Sequence, residues 1–259
     1  MTKSPNLTRP LGAKVQPRAA ILPQHTTFHG QHVSLRPLVP SDADALFPLV
    51  GGDDNAHLFD YLPYGPFADI ATFRALVAEH SASTDPLFWA IVPRGGQAGT
   101  AANGDGGKPL GWCALMRIVP AHGVAELGHL LFAPALQRTA AATEALGLLA
   151  RHVFEDLAYR RLEWKCNDLN AGSKRAAARL GFVWEGRFRA HMVVKGRSRD
   201  TAWFAMVEGD WFGEGEGEEG GARGGCGEAL RRWLEAGNFD EGGVQRRRLE
   251  DVRKEVLGV

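Results

Sequence analysis

The residues whose types and spacing best suit chemistry lie at a junction between a predicted strand and a predicted helix, from Gln137 to Ala142. A helix begins with N–H groups that have no partner inside the helix, and the helix dipole adds partial positive charge at the same end. Both features favour binding of a pyrophosphate. The junction therefore predicts an anion site built mostly from backbone.

The junction belongs to a predicted unit of strand, helix, strand and helix. Val124 to Ala133 is a short apolar run that Pro134 stops, as is typical of a buried strand. A strand has a period of two residues, which places Glu126 and Gly128 on one face and His129 on the other. At most one of the two ionisable groups is then expected to face a given side of the sheet.

The helix that follows starts at Thr139 and is predicted to be amphipathic. Its apolar side carries Ala142, Leu146, Leu149, Val153 and Phe154, and its polar side carries Thr143, Glu144, Arg151, Glu155 and Asp156. The second strand alternates Leu162, Trp164 and Cys166 with Glu163 and Lys165. Asn170 is a good N-cap for the second helix, and Gly181 is a usual C-cap.

The rest of the chain predicts further strands and helices around this unit. Strands are predicted at 32–38, 87–93, 110–119, 183–195 and 200–208, and helices at about 41–50, with Ser41 as the cap, and 69–80. Strands outnumber helices, and two of the helices directly follow strands. The fold class is therefore α+β, or α/β with a mixed sheet.

Composition shifts divide the chain into three parts. Residues 1–28 form a basic, proline-containing arm that is expected to be irregular, with an organelle transit peptide as the alternative. Residues 29–211 form the folded domain, in which the Gly-rich stretch 95–107 is expected to be a flexible hairpin tip. Residues 212–259 comprise a Gly/Glu-rich linker and a charged, solvated C-terminal helix.

Charge and composition exclude several classes of function. The 259 residues contain 30 basic and 30 acidic side chains, so nothing global indicates a nucleic-acid or membrane partner. No apolar run approaches the roughly 18 residues that cross a bilayer. Three separated cysteines and nine ungrouped histidines indicate neither a disulfide framework nor a metal site. A cytoplasmic protein, monomeric or homodimeric, is expected.

Two motifs in order resemble a known family. Gln137-x-x-Ala140-x-Ala142 resembles the acetyl-CoA loop of GNAT (Gcn5-related N-acetyltransferase) enzymes, usually Gln/Arg-x-x-Gly-x-Gly/Ala. Asn170-x-x-Ser173, Leu180-Gly181-Phe182 and Glu185-Gly186 resemble the ribosomal-protein N-acetyltransferase (RimJ/RimL-like) branch. The resemblance covers roughly residues 30–211, and the two terminal arms lie outside it.

The resemblance implies a fold and a cofactor site. The expected sheet is mixed and strongly twisted, with about seven strands and about four flanking helices, and acetyl-CoA lies in a V-shaped splay of the sheet. The implied cofactor contacts are Leu131, Phe132 and Ala133 for the pantetheine arm, Gln137, Arg138, Thr139, Ala140, Ala141 and Ala142 for the pyrophosphate, and Asn170 and Ser173 for the far side. Ala140 replaces the usual glycine, but a helix N-terminus needs only helical backbone angles, which alanine favours.

The implied reaction is direct attack of an amine on the thioester, for which a base must remove a proton. Glu126 is the favoured base and His129 the second candidate; the alternatives are a surface carboxylate and a core histidine. The family often carries a proton-donating tyrosine where this chain has Ala177, so Ser173 or water is left as the acid. No metal is implied.

The acceptor side is expected to include Tyr61, Tyr64, Phe67 and His191. The three aromatic residues lie in a loop that would border the acceptor cleft, with an aromatic plug on the helices as the alternative. The sequence thus predicts an acetyl-CoA-dependent N-acetyltransferase that acts on a protein N-terminus or a small-molecule amine. The alternative is a catalytically silent acyl-CoA-binding module.

Overall fold

The structure, a computed structural model, describes residues 9–15, 18, 21–94, 107–213 and 224–259. The predicted hairpin tip at 95–107, except Gly107, and residues 214–223 of the predicted linker lie outside these ranges. All elements named below belong to the described residues.

Eight strands form one sheet in the order β1-β2-β3-β4-β5-β6-β8-β7. They are β1 Phe28–His29, β2 Val33–Pro37, β3 Leu87–Pro93, β4 Gly111–Val119, β5 Val124–Phe132, β6 Arg161–Asn167, β7 Val183–Val194 and β8 Arg197–Val207. Neighbours pair antiparallel except β5 and β6, which are parallel. The predicted mixed sheet is confirmed, with one strand more than expected because the two-residue β1 pairs with β2.

The sheet splays between β5 and β6. Their parallel pairing ends at Leu127 and Trp164, although β5 runs on to Phe132 and β6 to Asn167. On its other side β5 stays paired with β4 up to Phe132. The far half of β5 therefore has a backbone edge without ladder bonds, facing a gap.

Seven α-helices flank the sheet within the described residues. They are α1 Asp42–Val50, α2 Ile70–Ala82, α3 Ala140–Arg151, α4 Ala171–Leu180, α5 Glu208–Phe212, α6 Cys226–Trp233 and α7 Leu249–Leu257. A π-helical turn, His152–Asp156, extends α3. None of these helices is long and apolar enough to cross a membrane.

Adjacent residues of β3 show which helices cover each face. Phe88 stacks on His80 of α2 with ring centroids 4.0 Å apart. Trp89 points the other way and packs on Phe28, whose ring lies 4.9 Å from His152 at the end of α3. We call the two sides the α2 face and the α3 face. Helix α4 lies on the α3 face, where Trp164 donates a hydrogen bond to Ser173.

The C-terminal segment is part of the core, and the prediction of a solvated C-terminal helix is wrong. Trp233, Leu249 and Val252 are buried in the same cluster as the sheet residues. A Cβ at Gly147 of α3 would overlap Leu230 of α6. The hydrophobic core therefore does not end near Trp211, because α6 and α7 cover α3 and α4.

The polar side expected for α3 is exposed only in its second half, at Arg151, Glu155 and Asp156. Thr143 and Glu144 are buried. The Glu144 carboxylate accepts hydrogen bonds from the backbone N–H groups of Gln31 and His32, at 2.7 and 2.6 Å. Burial of these polar groups is tolerated because each has a partner.

Most predicted helix ends are found, with one exception. Asp69, Thr139 and Asn170 cap α2, α3 and α4 through their side chains. Ser41 makes no side-chain cap bond, so its predicted role is wrong. Asp42 instead binds the Val39 N–H and pairs with Arg36, which fixes the start of α1.

The described part of the N-terminal arm lies along the domain. Tyr159 donates a hydrogen bond to the Ile21 carbonyl, at 2.7 Å, and Trp89 donates to the Thr26 carbonyl, at 2.8 Å. Arg18 pairs with Glu208. These contacts agree with an irregular arm that follows the surface.

Candidate active site

A cleft of about 200 Å³ lies where β5 and β6 part, and side chains from both faces of the sheet line it. Strands β4 to β8, the loop after Leu58 and the start of α4 form its walls. Its main polar lining residues are Tyr61, Arg117, Glu126, His129, Lys165, Asn170, Ser173, His191, Arg199 and Thr201. The predicted catalytic residues Glu126, His129 and Ser173 therefore meet in one cleft.

Glu126 is held by two cations through a single oxygen. Arg117 and Lys165 both contact Oε2, at 2.7 and 2.9 Å. Oε1 takes no hydrogen bond from the described residues. It is also not one of their polar side-chain atoms that are both inaccessible to solvent and without a hydrogen-bond partner. Oε1 therefore remains open to the cleft, although Glu126 as a residue is only 3% exposed.

Gly128 keeps the start of the gap clear. A Cβ at this position would overlap the Met116 sulfur and would lie 3.9 Å from Glu126 Oε1. A larger residue would therefore crowd the space in front of the carboxylate. Sequence periodicity alone does not show this requirement.

His129 lies on the same face as Glu126, so the prediction that they lie on opposite faces is wrong. Phe88 pairs with Ala114 and Ala114 with Gly128, which places Gly128 and Glu126 on the α2 face. The His129 ring lies 5.3 Å from Phe88, on that face.

A β-bulge causes the difference. Trp112 pairs with Leu131 but Ala114 pairs with Gly128, so two residues of β5 oppose Cys113 alone. His129 takes the left-handed conformation there, with φ 52°. The bulge breaks the strict alternation of faces.

The surroundings of His129 favour its neutral form. Its ring stacks on Tyr64 at 5.6 Å, and Nδ1 lies 3.3 Å from the Tyr64 hydroxyl. Burial, and secondarily the charge of Arg117, lower the pKa of His129 to about 4. An imidazole that is neutral near pH 7 has one nitrogen lone pair for accepting a proton.

The predicted phosphate junction lies beyond the cleft, at the end of β5 and the start of α3. Thr139 caps α3 by accepting a hydrogen bond from the Ala142 N–H, at 3.1 Å. The N–H groups of Ala140 and Ala141 lie in the first turn, where no helix carbonyl precedes them. These amides and the helix dipole fit a pyrophosphate.

The alanine at position 140 fits the junction. Ala140 is the first residue of α3 and is not in the left-handed region. Arg138 is the residue with positive φ, at 62°. Gln137 donates its side-chain amide to the Phe132 carbonyl, at 3.1 Å, which ties the loop to the end of β5. Leu131 and Ala133 are buried beside it.

Asn170 and Ser173 form the other wall of the gap. Asn170 Oδ1 accepts the Ser173 N–H at 3.0 Å, which starts α4. The Ser173 hydroxyl accepts a hydrogen bond from Trp164 Nε1, at 2.9 Å. Ala177, one turn later, is fully buried, so no proton donor occupies that position.

Two of the four predicted acceptor residues line the cleft. Tyr61 does so and donates to the Leu169 carbonyl at 3.3 Å, and His191 does so with Nδ1 3.0 Å from the Thr201 hydroxyl. Tyr64 and Phe67 instead pack on Phe59 as an aromatic plug. Burial raises the pKa of Tyr64.

A network of ion pairs along β6 was not predicted as part of the site. Its members are Arg117, Glu126, Arg161, Glu163, Lys165 and Glu185. The alternation of charged residues at 161, 163 and 165 was the available signal, since it places all three on one face. The spacing of these residues does not show that they pair with one another and with partners on β4, β5 and β7.

The splayed mixed sheet, with a helix N-terminus at one end of its gap and a carboxylate and an imidazole at the other, defines an acyltransferase of the acyl-CoA-using class. A family model described as an acetyltransferase (GNAT) domain matches residues 32–183. The chain belongs to the GNAT family. Its acyl donor is acetyl-CoA, and the sequence-based assignment to this family is confirmed.

Individual relatives agree with this assignment. A crystal structure of a GCN5-related N-acetyltransferase from Brucella melitensis is 39% identical, with a TM-score of 0.79, over 90% of this chain and 96% of that one. Among curated proteins, the "Putative ribosomal N-acetyltransferase YdaF" of Bacillus subtilis (strain 168) is 24% identical over 193 residues, which are 71% of this chain and 96% of the relative. Its name agrees with the branch that the sequence motifs indicate.

A second solved structure shares the fold. The microcin C7 self-immunity acetyltransferase MccE, solved in complex with acetyl-CoA and AMP, is 19% identical with a TM-score of 0.57, over 69% of this chain and 93% of that one. Within the described residues of the present chain, no group of three or more His, Cys, Asp or Glu side chains is placed to hold a metal ion.

Proposed function

We propose that this enzyme transfers the acetyl group of acetyl-CoA to a primary amine by direct attack of the amine on the thioester. The observation that carries the proposal is Glu126 Oε1, which faces the cleft at the point where β5 and β6 part. A proton acceptor at the mouth of a cofactor gap is what direct attack by an amine requires.

Glu126 acts as the general base. Arg117 and Lys165 fix Oε2, so the carboxylate cannot rotate freely and Oε1 stays directed at the cleft. Fixed orientation matters because a base must lie within hydrogen-bond reach of the proton that it removes, directly or through one water. His129 is the second candidate, because it is neutral near pH 7 and lines the same cleft.

The cofactor is held mostly by backbone. The open first-turn amides of α3, at Ala140 and Ala141, bind the pyrophosphate beside the capped Ala142, and Arg138 adds positive charge. The unpaired edge of β5, through Leu131 to Ala133, follows the pantetheine arm. Asn170 and Ser173 contact its other side, and the Ser173 hydroxyl donates a proton or hydrogen bond to the departing thiolate.

The acceptor is a protein N-terminus or a small-molecule amine. A cleft of about 200 Å³ admits the end of a chain or a small molecule. Tyr61 and His191 border it and contact the acceptor. The name of the Bacillus relative favours a ribosomal acceptor. The enzyme acts in the cytoplasm as a monomer or homodimer.

The test is release of thiol from acetyl-CoA over a panel of primary amines, with Glu126→Gln beside the natural sequence. We expect turnover of Glu126→Gln to fall by about 10- to 1000-fold, in line with general-base effects. Glu163→Gln is the matched control, since it removes a carboxylate from the same network without touching Oε1. It should retain most of the turnover.

Two outcomes would contradict the proposal. Equal activity of Glu126→Gln and the natural sequence across pH would remove Glu126 from the base role. Calorimetric binding of acetyl-CoA without transfer to any amine would instead identify the silent acyl-CoA-binding module.

A further inference from the structure

Among the described residues, the charged side chains that line the cleft are Arg117, Glu126, Lys165 and Arg199, and all but Arg199 take part in ion pairs. The network along β6 contains Glu126, Glu163 and Glu185 against Arg117, Arg161 and Lys165. A second cluster beside it contains Asp168 and Asp200 against Lys174 and Arg187. The formal net charge of each cluster is zero. Arg199, which lines the cleft, belongs to neither.

Arg199 is built into the wall rather than left on the surface. Its Nε donates a hydrogen bond to the Thr201 hydroxyl, at 3.2 Å, and the same hydroxyl lies 3.0 Å from His191 Nδ1. Thr201 is 1% exposed, so this anchor is fixed. No carboxylate within the described residues lies within ion-pair distance of the guanidinium, although the charges of Glu126 and Arg117 both act on it.

This arrangement costs free energy unless the guanidinium has a partner. Partial burial lowers the pKa of Arg199, because the charged form loses hydration. The neighbouring carboxylate, Asp200, takes the opposite face of β8 and accepts the Ala190 N–H. The remaining N–H groups of the guanidinium form a planar fork that matches a carboxylate or a phosphate.

We propose that Arg199 binds an anionic group of the acceptor, so that the natural substrate is an amine that also carries a carboxylate or a phosphate. This proposal rests on the proposed function and specifies its substrate. Glu126 accepts a proton from the ammonium end of the substrate. The guanidinium of Arg199, on β8, donates hydrogen bonds to the anionic end of the same substrate. Thr201 is a positioning residue for Arg199.

The kinetic test uses pairs of acceptors that differ in one charge. The pairs are glycine with glycinamide, O-phosphoethanolamine with ethanolamine, and tripeptides with Asp or Asn at the second position. We expect kcat/KM to favour the anionic member of at least one pair, and the three pairs separate the free carboxylate, the phosphate and the acidic peptide.

The variant test compares Arg199→Gln with Arg189→Gln. Arg189 lies exposed on the same hairpin and does not line the cleft. Arg199→Gln should reduce the anionic preference on the order of 10- to 100-fold, mainly through the KM of the acceptor and not that of acetyl-CoA. Arg189→Gln should leave the preference intact. A preference for neutral acceptors, or an unchanged ratio in Arg199→Gln, would overturn the proposal while transfer itself stands.

A binding test does not depend on transfer. N-acetylglycine should raise the melting temperature more than N-acetylglycinamide does, in the presence of CoA, and Arg199→Gln should abolish the difference. Equal effects of these two compounds on the natural sequence, together with equal effects of O-phosphoethanolamine and ethanolamine, would overturn the proposal. If no amine is acetylated but the anionic compound still binds through Arg199, the proposed function fails and the anion site stands.

Discussion

His80 and His129 lie on the α2 face where their charged forms lose hydration. Burial is the main cause that lowers the pKa of His80 to about 3 and that of His129 to about 4, from an ordinary value of 6.5. Their rings lie 5.9 Å apart, so protonation of one also opposes protonation of the other. Both histidines are therefore neutral in the folded protein near neutral pH.

We expect stability to fall as the pH is lowered from about 6.5 towards 4. In this window the unfolded chain binds protons at both histidines and the folded chain does not, so protons favour unfolding. The loss should be on the order of a few kcal/mol. Urea unfolding measured from pH 7 to pH 4 checks it.

His80→Phe is the matched variant for this prediction. Phenylalanine keeps a ring against Phe88 and Tyr64 and removes one titrating group. The decline in unfolding free energy between pH 7 and pH 4 should therefore be shallower than in the natural sequence. An equally steep decline would show that other groups cause it.

Helix α3 depends on its first residues both for stability and for the cofactor. Thr139 accepts the Ala142 N–H and donates to the Leu136 carbonyl, at 2.7 Å, so it fixes the loop and the helix start together. Because Ala140 already has a helical conformation, the missing family glycine does not distort this start.

Thr139→Ala should destabilise the protein by about 1 kcal/mol through loss of the cap. It should also raise the KM of acetyl-CoA more than that of the amine, because the phosphate-binding amides lose their fixed position. Thr139→Ser keeps the hydroxyl and serves as the control. Thermal unfolding and initial-rate kinetics measure both effects, and a cofactor KM that is equal in the two variants would contradict the link.

Strand β5 owes its function to an irregularity. The bulge opposite Cys113 brings His129 to the face of Glu126, and the early end of pairing with β6 opens the gap. The spacing of apolar residues predicts neither the bulge nor the early end of the pairing. Both depend on which strands lie next to β5.

The whole molecule folds around a single core that includes its C-terminal segment. Trp233 is 1% exposed, and its Nε1 donates to Gln245 and to the Arg247 carbonyl. Arg179 of α4 lies over the same ring, 5.1 Å from its centroid. The segment therefore supports the two helices that flank the gap.

Trp233→Ala should destabilise the whole protein by about 3–5 kcal/mol, as expected for removal of a buried aromatic side chain. Because the core is shared, unfolding in urea should remain a single transition. Val244→Ala is the control, since this side chain is 63% exposed and its loss should change stability by about 0.5 kcal/mol or less. A separate early transition in Trp233→Ala would show that the C-terminal segment folds on its own.

The sequence by itself determined the elements and the family. Apolar periodicity, caps such as Asn170 and Thr139, and breakers such as Pro134 act over a few residues, so they predict β5, α3, β6 and α4 with nearly correct bounds. The two GNAT motifs depend on local spacing in the same way. These signals are short-range, and they survive in the linear chain.

Only the tertiary structure decided which side chains meet. The bulge at His129, the ion pairs that hold Glu126 through one oxygen and the burial of Glu144 against the backbone of Gln31 and His32 all join separate segments of the chain. Arg199 likewise lines the cleft with residues from β4, β5, β6 and β7. Such contacts depend on strand order, register and the packing of distant segments. Local periodicity carries no information about them, because the same spacing is compatible with many arrangements of neighbours.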